Sequence, residues 1–190
     1  MAVTSEMLDL GTLAPDFALP DPAGVTHSLD AIAEGAKATL VMFLCNHCPY
    51  VKHIAPKLAH LATGWQAQGL AVVAISSNDV ENYPDDSPEM MAAEIVERGY
   101  TFPYLYDETQ DVARAYHAAC TPDFFLFDAE RRLVYRGQFD ESRPKNDLRV
   151  TGADLDAAVD ALLSGRSLDG VDQWPSMGCG IKWKPGNEPT

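Results

Sequence analysis

The sequence predicts an α/β fold: a central mixed sheet flanked by helices. Three observations carry the prediction. Two apolar runs, Leu40–Leu44 and Leu70–Ser76, are too short for helices and too uniformly apolar for half-exposed strands, so they read as strands buried on both faces. Between them, Val51, Ile54, Leu58, Leu61 and Trp65 recur at helical spacing, a crossover long enough to make the two strands parallel neighbours in a βαβ unit. Later, Phe124–Phe127, a turn at Ala129–Arg131 and Leu133–Phe139 read as a hairpin, which adds antiparallel strands to the parallel pair.

The remaining elements follow in order. Residues 14–29 read as a short strand, a turn at Asp21–Gly24 and a second short strand, an N-terminal β extension before the βαβ unit. A loop or short helix leads to Lys37. The long helix ends near Gly64–Gly69, and Pro56 inside it predicts a kink. Asn78–Ser87 is polar. Ser87-Pro88 is a helix start, with a hydroxyl to cap and proline at the first position, and that helix stops at Gly99. Phe102–Tyr106 reads as extended and Thr109–Ala118 as a helix. Arg143–Val150 is a polar connection. Thr151 is the expected cap of a last helix with Leu155, Val159 and Leu162 on its inner face, ended by Gly165. Residues 166–190 hold four glycines and three prolines with no helix or strand period, yet also Trp174, Met177, Ile181 and Trp183. That content is too apolar for a free tail, so an ordered irregular C-terminal arm is expected. At 190 residues the chain reads as one domain, 1–190, with a core of about 11–165 and the arm 166–190.

A net charge of −14 argues against nucleic acid and anionic membranes as partners. The start of the chain has no basic, apolar leader pattern, and four cysteines without one point to a reducing cytoplasm. Acidic residues number 28, yet none lies between Glu34 and Asp79. Lys37, Lys52, Lys57, His47, His53 and His60 fall in that interval, so the polar face of the long helix is basic.

The chemistry concentrates at Cys45-Asn46-His47-Cys48, where the first buried strand ends and the long helix begins. The unpaired N–H groups and dipole of a helix N-terminus favour a thiolate. A low-pKa cysteine with a second one a turn away can attack a disulfide and then close its own. Half of a zinc site is the competing reading, but structural zinc wants a second pair, and Cys120 and Cys179 are single and far apart. No metal and no cofactor are expected. Inert core packing is the other alternative.

The order strand, Cys-x-x-Cys helix, strand, helix, Thr-Pro, hairpin, helix resembles the thioredoxin fold. Ala14-Pro15-Asp16-Phe17, the core Phe43–Val51 and the ending Pro175–Lys184 are similar to the peroxiredoxin-like group of the alkyl hydroperoxide reductase/thiol-specific antioxidant superfamily. The resemblance implies that Cys45 is the attacking thiol and Cys48 the resolving one. It also places Cys48 at the peroxidatic position of peroxiredoxins, and Pro122 at the cis-proline facing the motif, with the Thr121 backbone left to pair with an incoming substrate chain. Two departures weigh against efficient peroxide reduction: the threonine three residues before the peroxidatic cysteine is Cys45, and Thr121-Pro122 stand in place of the activating arginine. On the thioredoxin side, the tryptophan before the first cysteine is Leu44, and the buried proton-accepting carboxylate is Thr39, so water, His47 or another group must take that proton.

His47, directly before Cys48, is expected to stabilise the Cys45 thiolate and raise the potential above that of thioredoxin, with Asn46 also tuning the site. Cys120, next to Thr121-Pro122, and Cys179, between two glycines, are candidate additional thiols, packing being the competing role for each. The expected activity is thiol–disulfide oxidoreduction on a protein or small-molecule disulfide, with a thiol electron donor. A weak thiol peroxidase using Cys48 is the alternative, and a metal-binding or non-catalytic module is the third.

Overall fold

A computed structural model describes residues 2–189. Its elements are β1 (Ala2–Thr4), β2 (Ala18–Pro20), β3 (Thr26–Ser28), α1 (Leu29–Ala33), β4 (Ala38–Phe43), α2 (Pro49–Ala67), β5 (Leu70–Ser76), α3 (Pro88–Arg98), β6 (Tyr104–Tyr106), α4 (Asp111–Ala115), β7 (Cys120–Thr121), β8 (Asp123–Phe127), β9 (Leu133–Arg136), α5 (Ala153–Leu163) and β10 (Met177–Gly180). A single 3-10 turn, Pro84–Asp86, precedes α3.

The central sheet runs β6-β5-β4-β8-β9. β4 pairs in parallel with β5 and antiparallel with β8, so the sheet is mixed, as the alternation of apolar runs and hairpin predicts. Side chains alternate across β4 and β5. Leu40, Met42, Val72 and Ala74 face Val51, Ile54, Leu58 and Trp65 of α2, Met91 of α3 and Val159 of α5. Val41, Phe43, Val73 and Ile75 face Phe17, Leu29, Tyr116 and Ile181 on the other side. Both faces are therefore covered, which is why neither strand carries a charge. Burying each Leu, Ile, Val or Phe here contributes about 1.5–3 kcal/mol. This is the thioredoxin-like architecture that the order of elements resembles.

Local chemistry sets most boundaries. Ser87 Oγ accepts from the Met90 N–H, and Gly99 ends α3 at φ 68°. α2 is continuous through Pro56. Three expectations need correction. The cap position of the last helix is Gly152, at φ 71°, rather than Thr151, and its N–H and that of Thr151 both donate to Asp140 Oδ2 at 2.6 Å. The Thr151 hydroxyl still accepts the Ala153 N–H at 3.2 Å, while a buried carboxylate from the preceding loop holds the two N–H groups before it. α4 is shorter than the 109–118 pattern, and its chain leaves the helix through His117 at φ 50°. The arm is not wholly irregular either, because Met177–Gly180 forms β10, the middle strand of a small sheet β1-β10-β7. Its glycines hide it from a strand pattern. Among the described residues no helix is long and apolar enough to cross a membrane.

Candidate active site

β4 ends at Phe43, and the Leu44 N–H still bonds the Ile75 carbonyl at 3.0 Å. The chain then turns through Cys45, Asn46 and His47 into α2, whose N-cap residue is Cys48. With Pro49 at the first helical position, no N–H is wasted there. Cys45 and Cys48 are 1% and 0% exposed, and all four cysteines are free thiols. The Thr121–Pro122 peptide opposite them is cis. Thr121 touches both cysteines: its Oγ1 lies 3.1 Å from Cys45 Sγ, and its carbonyl accepts from the Cys48 thiol at 3.1 Å.

The two thiols stand within hydrogen-bonding reach of each other, and they differ in proton affinity. The Cys48 thiol is brought down to about 5, chiefly by the hydrogen bond from Cys45, against the opposing effect of burial; the Cys179 thiol and the N–H groups of Val51 and Cys179 add to the lowering. Cys45 is pushed up, first by that same hydrogen bond, then by burial and by the charge of Asp86. Of the two, Cys48 at the helix N-terminus is the thiol whose ionisation is favoured, once it gives up its bond to the Thr121 carbonyl; the family resemblance assigns the attack to Cys45.

Asp86 is the residue that sequence reasoning missed. Fully buried, it accepts the N–H of Asn46 at 2.8 Å and of His47 at 3.1 Å. Asn78 Nδ2 donates to it at 2.8 Å, and His47 Nδ1 lies 2.6 Å from its Oδ2. It sits in the polar loop just outside the acid-free interval, with nothing local to mark it as a long-range partner. Two expectations change as a result. His47 makes no hydrogen bond to Cys45; its ring is held by Asp86 and stacks on Tyr83 at 5.6 Å between ring centres. The charge nearest the motif is a carboxylate rather than the basic face of α2. Asn46 is anchored too, its Nδ2 donating to the Asp85 carbonyl at 3.0 Å and its Oδ1 accepting from Tyr104 Oη at 3.1 Å.

Cys45 Sγ, a His47 ring nitrogen and an Asp86 oxygen lie within 4.8 Å of one another, so they could offer three ligands to a metal ion. Asp86 already receives four hydrogen-bond partners, which leaves it poorly placed to turn towards an ion.

The other two cysteines part company. Cys120 is buried, donates to the Pro122 carbonyl at 3.6 Å, and is pushed up by burial, all of which disfavours a thiolate. Cys179 lies in β10, directly opposite Thr121 in an antiparallel ladder, and its thiol reaches Cys48. The Thr121 backbone is thus not open to an incoming chain. Its own arm already occupies that position, which the glycine-rich sequence of the arm gave no sign of.

Comparison with known proteins agrees with the architecture. A hypothetical protein from Sinorhizobium meliloti 1021 has a crystal structure that is 53% identical, superposes with a TM-score of 0.94, and is matched over 96% of this chain and 99% of its own. The thioredoxin domain of a thiol-disulfide oxidoreductase from Bacteroides vulgatus is 22% identical with a TM-score of 0.63, covering 83% of this chain and 99% of that one, a likeness of fold. Thiol-disulfide oxidoreductase ResA of Geobacillus thermodenitrificans is 28% identical over 125 residues, 65% of this chain; the chain spans 66% of that relative's length, just under two thirds. The family model described as AhpC/TSA matches residues 10–136, and the chain belongs to the AhpC/TSA family.

Proposed function

We propose that the protein is a thiol–disulfide oxidoreductase in which Cys45 and Cys48 interconvert between dithiol and disulfide. The observation that carries this reading is the pairing of two thiols of opposite proton affinity at the N-terminus of α2, within hydrogen-bonding reach of each other. The relative named ResA supports it at the level of its name.

In this reading Cys48 attacks a substrate disulfide as thiolate and forms a mixed disulfide, releasing one substrate thiolate. Cys45 then loses its proton, attacks the Cys48 sulfur and releases the second. Two electrons pass to the substrate, and a Cys45–Cys48 disulfide remains. The proton of Cys45 needs an acceptor in a site without a carboxylate at Thr39, and the Asp86–His47 pair stands within 4.8 Å of its sulfur. A thiol donor returns the dithiol. The proposed setting is a reducing cytoplasm, which fractionation of the native protein tests.

Single-turnover reduction of a model peptide disulfide tests the activity. The wild-type dithiol releases substrate thiol in step with Cys45–Cys48 formation, and Cys48→Ser abolishes the reaction. Cys45→Ser still captures the substrate as a mixed disulfide on Cys48 but forms no Cys45–Cys48 disulfide. Inert thiols in the wild-type protein would contradict the reading.

One observation favours a second reading, weak thiol peroxidase activity: the lowered thiol falls on Cys48, the residue at the peroxidatic position. Peroxide turnover lost in Cys48→Ser and kept in Cys45→Ser supports that reading over the first.

A further inference from the structure

We infer that Cys179 is a third redox residue, an internal thiol that exchanges disulfide with Cys48 and carries the oxidised state between the buried Cys45–Cys48 pair and thiols in solution. The inference rests on the dithiol reading above.

Three observations point to it. First, β10 lies in antiparallel register with β7, Cys179 opposite Thr121 and Gly180 opposite Cys120. The arm is therefore laid as an extended chain along the backbone beside Pro122, with a cysteine at the position level with the motif. Second, the Cys48 sulfur lies 3.1 Å from the carbonyl oxygen of Thr121, the residue that Cys179 faces across the ladder. Third, Cys45 and Cys48 are 1% and 0% exposed, whereas Cys179 is only partly buried. Of the three residues, Cys179 is the one with surface left to solvent.

The approach of the arm is specified by Gly178. A Cβ there would lie 2.0 Å from the Thr121 carbonyl oxygen and 2.6 Å from its carbon. Both are backbone atoms that cannot step aside, so only glycine lets β10 sit this close.

The chemistry balances within the chain. The Cys179 sulfur attacks Cys48 in the Cys45–Cys48 disulfide; that S–S bond breaks and the Cys48–Cys179 bond forms. The proton leaving Cys179 ends on Cys45, whose environment favours the protonated form. No electrons enter or leave. A dithiol donor in solution then attacks the Cys179 sulfur, and Cys48 departs as thiolate, a good leaving group because its pKa is low. The donor's second thiol closes the donor disulfide and frees Cys179. One donor proton goes to Cys179 and the other to solvent.

The test is a titration of the full chain in glutathione buffers, acid-quenched, alkylated and mapped by peptide mass, with Cys45→Ser, Cys45→Ala, Cys179→Ser and Gly178→Ala beside the wild type. Two substitutions at Cys45 guard against one that misfolds. The expected result is a reversible Cys48–Cys179 disulfide in the Cys45 variants. Cys179→Ser still forms the Cys45–Cys48 disulfide, but its re-reduction by a dithiol donor slows by about tenfold or more. Gly178→Ala, which keeps every thiol, lowers the yield of Cys48–Cys179 by about tenfold as the added methyl lifts the arm. Wild-type protein that forms Cys45–Cys48 while the Cys45 variants never form Cys48–Cys179 overturns the inference and leaves the dithiol reading standing. Failure of both pairings overturns both.

Discussion

His47 Nδ1 lies 2.6 Å from Asp86 Oδ2, and the same carboxylate takes the backbone N–H groups of Asn46 and His47. The loop between the two cysteines is therefore pinned to a residue 39 positions away in sequence rather than to its own side chains. A buried carboxylate held by four donors fixes the path of the loop and places a negative charge beside Cys45.

Asp86→Asn should destabilise the protein by about 2–3 kcal/mol in chemical denaturation, the range for losing charge-assisted hydrogen bonds in a buried site. The amide turns an NH2 group towards donors it cannot bond. The variant should also raise the Cys45–Cys48 potential, since removing the charge eases ionisation of Cys45, with about 30 mV for each tenfold change in the exchange constant. Equal stability and potential in wild type and variant would count against the role given to Asp86.

Ultraviolet thiolate absorbance should show Cys48 ionising with a midpoint of about 5, while Cys45 stays protonated through neutral pH. Because the largest contribution to the Cys48 lowering is the hydrogen bond from Cys45, Cys45→Ala should move that midpoint up, by about one unit or more. A midpoint unchanged in Cys45→Ala would mean that the helix N-terminus and the arm set the value alone.

The wild-type potential should lie above that of thioredoxin, about −270 mV, because a stabilised thiolate favours the reduced form. The direction is the one expected from His47, but the cause differs: the stabilised sulfur is Cys48, and His47 spends its ring nitrogen on Asp86. Glutathione equilibrium measures it, and a value at or below thioredoxin's would contradict this account.

Asp140 ties the loop after β9 to the start of α5. Burial raises its carboxyl, but donors from Ser142, Gly152 and Thr151 outweigh that and hold it below 3.8. A group depressed in the folded state stabilises fully above its unfolded pKa and loses that contribution as pH falls through the folded value. Asp140→Ala should therefore cost about 2–3 kcal/mol at neutral pH, with the gap to wild type closing below about pH 4. Denaturation midpoints across pH 2–7 read this, and a gap independent of pH would count against it.

Much of this fold was legible because its signals are local. The runs at Leu40 and Leu70, the spacing of Val51, Ile54 and Leu58, and the Ser87-Pro88 cap each act within one element. What stayed hidden acts across the chain. Asp86 looks like any acid in a polar loop until the chain brings it under His47. Gly178-Cys179-Gly180 reads as irregular because glycine has no strand signal, although Gly178 is there to let a strand approach Thr121 closely. The motif named the two cysteines, but Asp86 and Cys179, which bias their proton affinities in addition to the bond between them, are not near it in sequence.

The chemistry of the site turns on Cys45 and Cys48 forming a reversible redox pair. A glutathione redox titration of wild-type protein, trapped by alkylation and mapped by peptide mass, tests it most directly. The expected result is a Cys45–Cys48 disulfide that forms and reverses as the glutathione ratio is varied, at a potential above thioredoxin's. Cysteines that stay reduced throughout, or that pair without ever joining Cys45 to Cys48, would contradict it.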